Sequence, residues 1–214
     1  MLPLRLPEGT PPTVLCLGAH CDDIEIGCGG ALLTLQRRHP GARFEWVVFT
    51  QEPGRDRETL RAAAGLLGDG GAHVEVLDFR MSYLPYEGAK VKDSFEAIKA
   101  RVQPDLIFTH RLEDRHQDHR HVAELTWNTW RNHLILEYEI PKYEGDLGHP
   151  NLYVPLGDGV AARKVDVLMD AFPSQHSRSW FRREVFEGHM RLRGIECNAP
   201  SGSAEAFHAR KLVI

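Results

Sequence analysis

His20-Cys21-Asp22-Asp23 and His116-Gln117-Asp118-His119 are the two stretches of this chain whose side chains could together hold a metal ion. His20 and Asp23 stand three residues apart, so one tight turn can aim both at a single point. His116 and His119 have the same spacing, which puts them on one face at the start of a helix. Two adjacent carboxylates, Asp22 and Asp23, directly after an apolar segment are costly to bury unless something cationic sits between them. Two imidazoles and one carboxylate are a common ligand set for catalytic zinc, with the fourth position left to water whose pKa falls to ~7. Such a set also accepts iron(II). Asp22, close to the ion but not needed as a ligand, is suited to take a proton from that water.

Both clusters must be presented by neighbouring elements. Thr13 to Gly18 is short, apolar and β-rich, and reads as a buried strand ending just before His20. Asp105 to His110 reads as a fourth strand, ending just before the second cluster. Between them lie strands over 44–50 and 73–78 and helices over 29–38, 55–67 and 91–102, the second closed by Gly68. This alternation implies an α/β fold, a Rossmann-like, mostly parallel sheet with helices on both faces. In such sheets ligands bind beyond the carboxyl ends of the strands, where both clusters fall. Further on, a helix over 119–132, a strand over 134–140, a loop over 141–150, an extended piece over 151–155, helices over 160–172 and 181–192 and a last strand over 207–214 are expected. Trp127, Trp130 and Leu134 have helical spacing and read as core. Without a repeat or a clear linker, residues 1–214 read as a single domain.

The composition is that of a globular enzyme-sized chain: 214 residues, 42% hydrophobic and 26% charged, with a net charge of −4. The acidic balance argues against nucleic acid as partner. No apolar run approaches the ~20 residues of a membrane span, and Met1 to Pro7 does not resemble a leader, so a cytoplasmic location is expected. Cys16, Cys21, Cys28 and Cys197 form neither a C-x-x-C nor a zinc-finger pattern and read as thiols. Gly27-x-Gly29-Gly30 lacks the last glycine of a dinucleotide loop, Leu32 standing in its place, and reads as close helix–strand packing. His110 could either support the site or simply end its strand.

Ala19-His-Cys-Asp-Asp-Ile-Glu25 with Gly27-Cys-Gly-Gly30 resembles the first motif of the PIG-L/LmbE-like zinc de-N-acetylases, and His116-Gln-Asp-His119 resembles their second. Arg55-x-x-Glu58 resembles the family's R-x-x-E helix, and Ser174-Gln175 its late S-Q pair. The resemblance implies a zinc-dependent N-deacetylase, a hydrolase acting on an N-acetylated sugar or glycoconjugate. It implies His20, Asp23 and His119 as metal ligands, Asp22 as general base, and His116 as the group that stabilises or protonates the tetrahedral intermediate. Arg55 and Glu58 are then candidates for contacting substrate hydroxyls or a phosphate; the plainer reading is a surface ion pair worth a few tenths of a kcal/mol. Cys21 and Gln117 replace the usual prolines, and Cys21 would bring a thiol close to the metal. Asp114 and Arg115 stand where the sugar-thiol branch bears a tyrosine, and Glu139 to Asn151 reads as an insertion that shapes substrate choice. An amidase for larger acyl or cysteinyl conjugates and an inactive metal- or sugar-binding protein are the competing readings. A homo-oligomer is compatible with all three.

Overall fold

The computed structural model describes residue 6 and residues 10–212. The stretch read for a leader, Leu6 apart, and the final two residues of the expected last strand lie outside the described residues. β1 (Thr13–Gly18), β2 (Arg43–Thr50), β3 (His73–Phe79), β4 (Leu106–His110) and β5 (Leu134–Tyr138) alternate with α1 (Asp23–Arg38), α2 (Arg55–Leu67), α3 (Gly88–Arg101) and α4 (Gln117–Thr129). β6 (Leu152–Pro155), α5 (Val160–Ala171), α6 (Arg183–Glu196) and β7 (Ala204–Ala209) follow. One sheet runs in the order β3-β2-β1-β4-β5-β7-β6. β1 to β5 pair in parallel, and β7 runs antiparallel between β5 and β6. The expected mostly parallel α/β sheet is therefore what forms.

The period-2 alternation of a strand explains the layers. Val14 and Cys16 of β1 face a core shared with α1, α2, α5 and α6. Leu15 and Leu17 face a second core shared with α3 and α4. The strand order reverses between β1 and β4, which pair directly (Val14 with Leu106, Cys16 with Phe108). That reversal leaves the crevice into which both histidine clusters project.

Several boundaries differ from expectation. Helix α1 starts at Asp23, not Gly29. Its residues Asp23 to Thr34 are all buried, so its first turns carry no amphipathic stripe to read. A 3-10 turn at Leu84–Glu87 precedes α3. Helix α6 is displaced toward Glu196, and the last strand starts earlier, at Ala204. Leu134 belongs to β5, so the tryptophan stripe is not one helical face; Trp130 is buried, while Trp127 donates through Nε1 to Glu137 at 2.7 Å.

Close packing and mid-helix hydrogen bonds hold α1 in place against β5, β7 and α5. A Cβ on Gly27 would lie 2.3 Å from the Tyr138 ring, so the helix approaches β5 more closely than any other residue allows. The Tyr138 hydroxyl donates to Leu17 O at 2.7 Å. In mid-helix, Glu205 of β7 accepts from Gly30 N at 2.8 Å and Ala31 N at 2.7 Å, while Lys164 of α5 donates to Ile26 O and to Glu205, each at 2.6 Å. The loop after β5 is anchored by buried Glu139, which accepts from Arg193 Nε and Nη2, both at 2.9 Å, and from Gly148 N at 2.9 Å.

Two stability outcomes follow from these contacts. Gly27→Ala must displace Tyr138 or α1 and is expected to cost about 1–3 kcal/mol, read as a lower urea midpoint at unchanged slope. Burial alone would raise the Glu139 pKa, but hydrogen bonds from His189 and Gly148 N, with His208 Nε2 nearby at 3.7 Å, hold it well below the usual carboxylate range. Its stabilisation is therefore complete above the unfolded value of ~4.3 and is lost as pH falls below it. Urea midpoints measured from pH 7 to pH 3 should fall less steeply in Glu139→Gln than in the wild type.

Candidate metal centre

The turn after β1 and the start of α4 bring His20, Asp23 and His119 together. His20 Nδ1 lies 3.1 Å from His119 Nε2, Asp23 Oδ2 lies 3.4 Å from His20 Nδ1, and Asp23 Oδ1 lies 3.4 Å from His119 Nε2. Tetrahedral ligands at ~2.0–2.1 Å from one ion stand ~3.3–3.4 Å apart, so each of these pairs has about the spacing of two ligands of one cation, with Asp23 meeting His20 through Oδ2 and His119 through Oδ1. Their outer hydrogen bonds decide the ring tautomers. His20 Nε2 faces Asp118 Oδ2 at 3.2 Å, and His119 Nδ1 faces Asp114 Oδ2 at 3.0 Å. A carboxylate only accepts, so in the neutral rings both outer nitrogens carry the proton and the inner nitrogens turn their electron pairs toward Asp23. Carboxylate–histidine pairs of this kind orient metal-binding imidazoles. The arrangement fits a divalent cation.

The electrostatics agree. Burial opposes charge on His20, but Asp23 and Asp118 outweigh it and push the His20 pKa up to about 10. Burial, with His110 adding to it, pushes His119 down to about 3. Asp23 is buried too, yet His119, His110 and His20 hold it well below its ordinary value. Without a metal ion, the cage therefore keeps one positive charge, as a proton on His20.

Around the cage, His116 is the N-cap of α4, and its Nδ1 accepts from Asp118 N at 3.2 Å. Neutral His116 thus carries its proton on Nε2, and burial followed by His20 lowers its pKa. His116 also falls within ion-sharing reach of His20 and His119, as does His110 with Asp23 and His119. Yet His110 Nε2 already meets Ala19 N at 2.9 Å and Asp23 Oδ2 at 3.1 Å, and its ring stacks on His119 with centroids 3.9 Å apart. Among these rings, His20 and His119 are the pair left with an unengaged electron pair facing Asp23.

Asp22 is 5% exposed, and its Oδ2 accepts from Arg55 Nη2 at 2.8 Å. Burial raises its pKa against the pull of Arg55. Arg55 Nε lies 3.5 Å from Glu58, and Glu58 accepts from Ser174 N at 3.0 Å and Ser174 Oγ at 2.6 Å. Both residues therefore sit beside the cage, with partners inside the protein. The thiol of Cys21 turns away: it donates to Thr50 O at 3.6 Å within the core, and burial pushes its pKa up to about 12. The thiol expected close to the metal is therefore engaged in the core.

Asp118 and Asp114 carry more of the site than the spacing alone indicated. Asp118 accepts from Ser82 N at 2.6 Å and Leu84 N at 3.2 Å as well as from His20, tying the turn after β3 to the cage. Ser82 takes a left-handed φ of 67° there. Asp114 accepts from His116 N at 2.8 Å and Lys142 Nζ at 3.0 Å besides His119. In the sequence both carboxylates flank the second histidine pair, as Asp114-x-His116-x-Asp118-His119, but the rings they accept from are His119 and His20.

Solved structures of the same architecture cover nearly the whole chain. The N,N'-diacetylchitobiose deacetylase of Pyrococcus horikoshii superposes with a TM-score of 0.69 at 20% identity, over 92% of this chain and 83% of that one. The 4-carboxy-2-hydroxymuconate hydratase GalB of Pseudomonas putida KT2440 does so at 0.73 and 16%, over 95% and 98%. The fold thus serves more than one chemistry. In sequence, the uncharacterized deacetylase YaiS of Escherichia coli K12 is 30% identical over 149 residues, 60% of this chain and 74% of that protein. Residues 15–130 match the PIG-L family, described as GlcNAc-PI de-N-acetylase. That match spans more than half of the 214 residues and includes His20, Asp22, Asp23, His116 and His119, and the chain belongs to the PIG-L family.

Proposed function

We propose that the chain is a metal-dependent hydrolase that removes an acetyl group from the nitrogen of an N-acetylated sugar or glycoconjugate. His20, Asp23 and His119 hold the ion, zinc or iron(II). The observation that carries this reading is the pair of imidazole nitrogens 3.1 Å apart with one carboxylate oxygen of Asp23 at 3.4 Å from each, and each imidazole backed by its own carboxylate. Family membership supports the acyl–nitrogen bond as the target and a sugar as its bearer.

A bound cation would supply Lewis acidity to water and to the amide carbonyl. Asp22 accepts the water proton at Oδ1, because Oδ2 is engaged by Arg55. Its burial favours the protonated acid, which makes it a stronger base than an exposed carboxylate. His116 donates a hydrogen bond from Nε2 to the carbonyl oxygen as negative charge develops there. Since Nδ1 of His116 is occupied by Asp118 N, the proton for the departing nitrogen comes from Asp22, which has just collected one. Arg55 orients Asp22 and can also contact substrate alongside Glu58.

Acetate release from a panel of N-acetyl sugars, with metal analysis of the same samples, tests the whole reading. Chelation should abolish release and added zinc restore it. Asp22→Ala and His116→Ala should each lower turnover by roughly 10²-fold or more with metal content intact, whereas His20→Ala should lose the metal. Equal turnover in Asp22→Ala and wild type removes Asp22 as the base. For Arg55→Ala, a fall in kcat at constant KM marks orientation of Asp22, and a rise in KM at constant kcat marks substrate contact.

A further inference from the structure

The loop between β5 and β6 reaches the metal cage through one side chain. Lys142 Nζ donates to Asp114 Oδ2 at 3.0 Å, the same oxygen that His119 Nδ1 meets at 3.0 Å. Lys142 is also bonded to both oxygens of Asp146, at 2.7 and 2.8 Å. The side chains of Lys142, Asp146 and Asp114 are 9%, 6% and 3% exposed, so the cluster is closed to solvent. Asp146 in turn accepts from Arg115 N at 2.7 Å, and Glu139 and Gly148 fix the far side of the loop. Lys142 is thus held in place from both ends, and its charge lies one carboxylate away from an imidazole of the cage.

A carboxylate behind a metal-binding histidine raises the basicity of that ring. A cation sharing the carboxylate oxygen reduces that effect, and in a buried site its charge also opposes a second cation nearby. We propose that Lys142 is a positioning residue that acts through Asp114 to moderate the donor strength of His119, and so limits how tightly the site holds its metal. This rests on the metal reading of the site given above. The plainer role, in which Lys142 only ties the loop down, makes the opposite forecast. Loss of a tie loosens the cage, whereas loss of the moderating charge tightens it.

Zinc affinity measured by competition with a chromophoric chelator separates the two without reference to turnover. Lys142→Met is expected to bind zinc roughly 10-fold more tightly than wild type, and Asp114→Asn to bind it roughly 10–100-fold more weakly. Lys142→Arg, which keeps the charge, should restore the wild-type affinity. In the Asp114→Asn background, Lys142→Met should change affinity less than about twofold, because the route to His119 is gone. Lys142→Gln keeps a donor for both carboxylates without the charge and carries the same expectation should Lys142→Met fail to fold. Unchanged or weaker zinc binding in the folded, uncharged variant overturns the proposal, as does an equal shift with and without Asp114. A wild-type protein that binds neither zinc nor iron(II) overturns this proposal together with the hydrolase reading, whereas bound zinc with no effect of Lys142 overturns this one alone.

Discussion

Two imidazole nitrogens, each on a ring whose far side is bonded to a carboxylate, face each other 3.1 Å apart beside a third carboxylate. Three electron-rich atoms so close repel unless a positive charge lies among them, and burial removes the water that would screen them. The surrounding structure can be understood as what is needed to keep them there. Parallel pairing of β1 with β4 brings the two turns to one crevice, and the order reversal at those strands leaves the crevice open. Asp118 and Asp114 hold the rings from behind, and the pull of the cage on a proton, with His20 raised to about 10, expresses the same demand for a cation.

Charge is layered outward from that point. Asp114 and Asp118 are not spare acids, since each accepts from a cage histidine and from backbone N–H groups of the adjoining turns. Arg55 offsets the charge of Asp22 on one flank, and Lys142 offsets Asp114 and Asp146 on the other. Alternating signs let Asp23, Asp114 and Asp118 stay buried and ionised while a neighbour, Asp22, is left with a raised pKa and one unengaged oxygen.

Much of this was legible from residue types and spacing. Alternating apolar strands and helices revealed the sheet class, and the position of both histidine clusters just after strands marked the crevice. Helix α1 was read six residues short because its first turns are buried on every side, which leaves no periodicity to follow. The 3-10 turn at Leu84–Glu87 and the antiparallel placement of β7 are tertiary outcomes with no local signature. Cys21 was expected near the metal from its position between His20 and Asp22, but its thiol is buried in the core and donates to Thr50 O. Asp114 stood out only as a departure from a relative's tyrosine; its partnership with His119 needs the turn before α4, in which a carboxylate five residues away folds back beneath the ring.

The stitching of α1 by Glu205 and Lys164 bears on how the chain can be divided. Every cage residue falls within 15–130, yet the helix that begins at Asp23 has backbone groups at Ile26, Gly30 and Ala31 completed by side chains from α5 and β7, and Tyr138 packs directly on its Gly27. A fragment cut at the boundary of the shared segment would expose that helix along its most apolar side and strip it of those buried partners. The last third of the molecule is therefore the wall against which the reactive turn is set, and grafting the two histidine clusters onto another scaffold would have to carry that wall along.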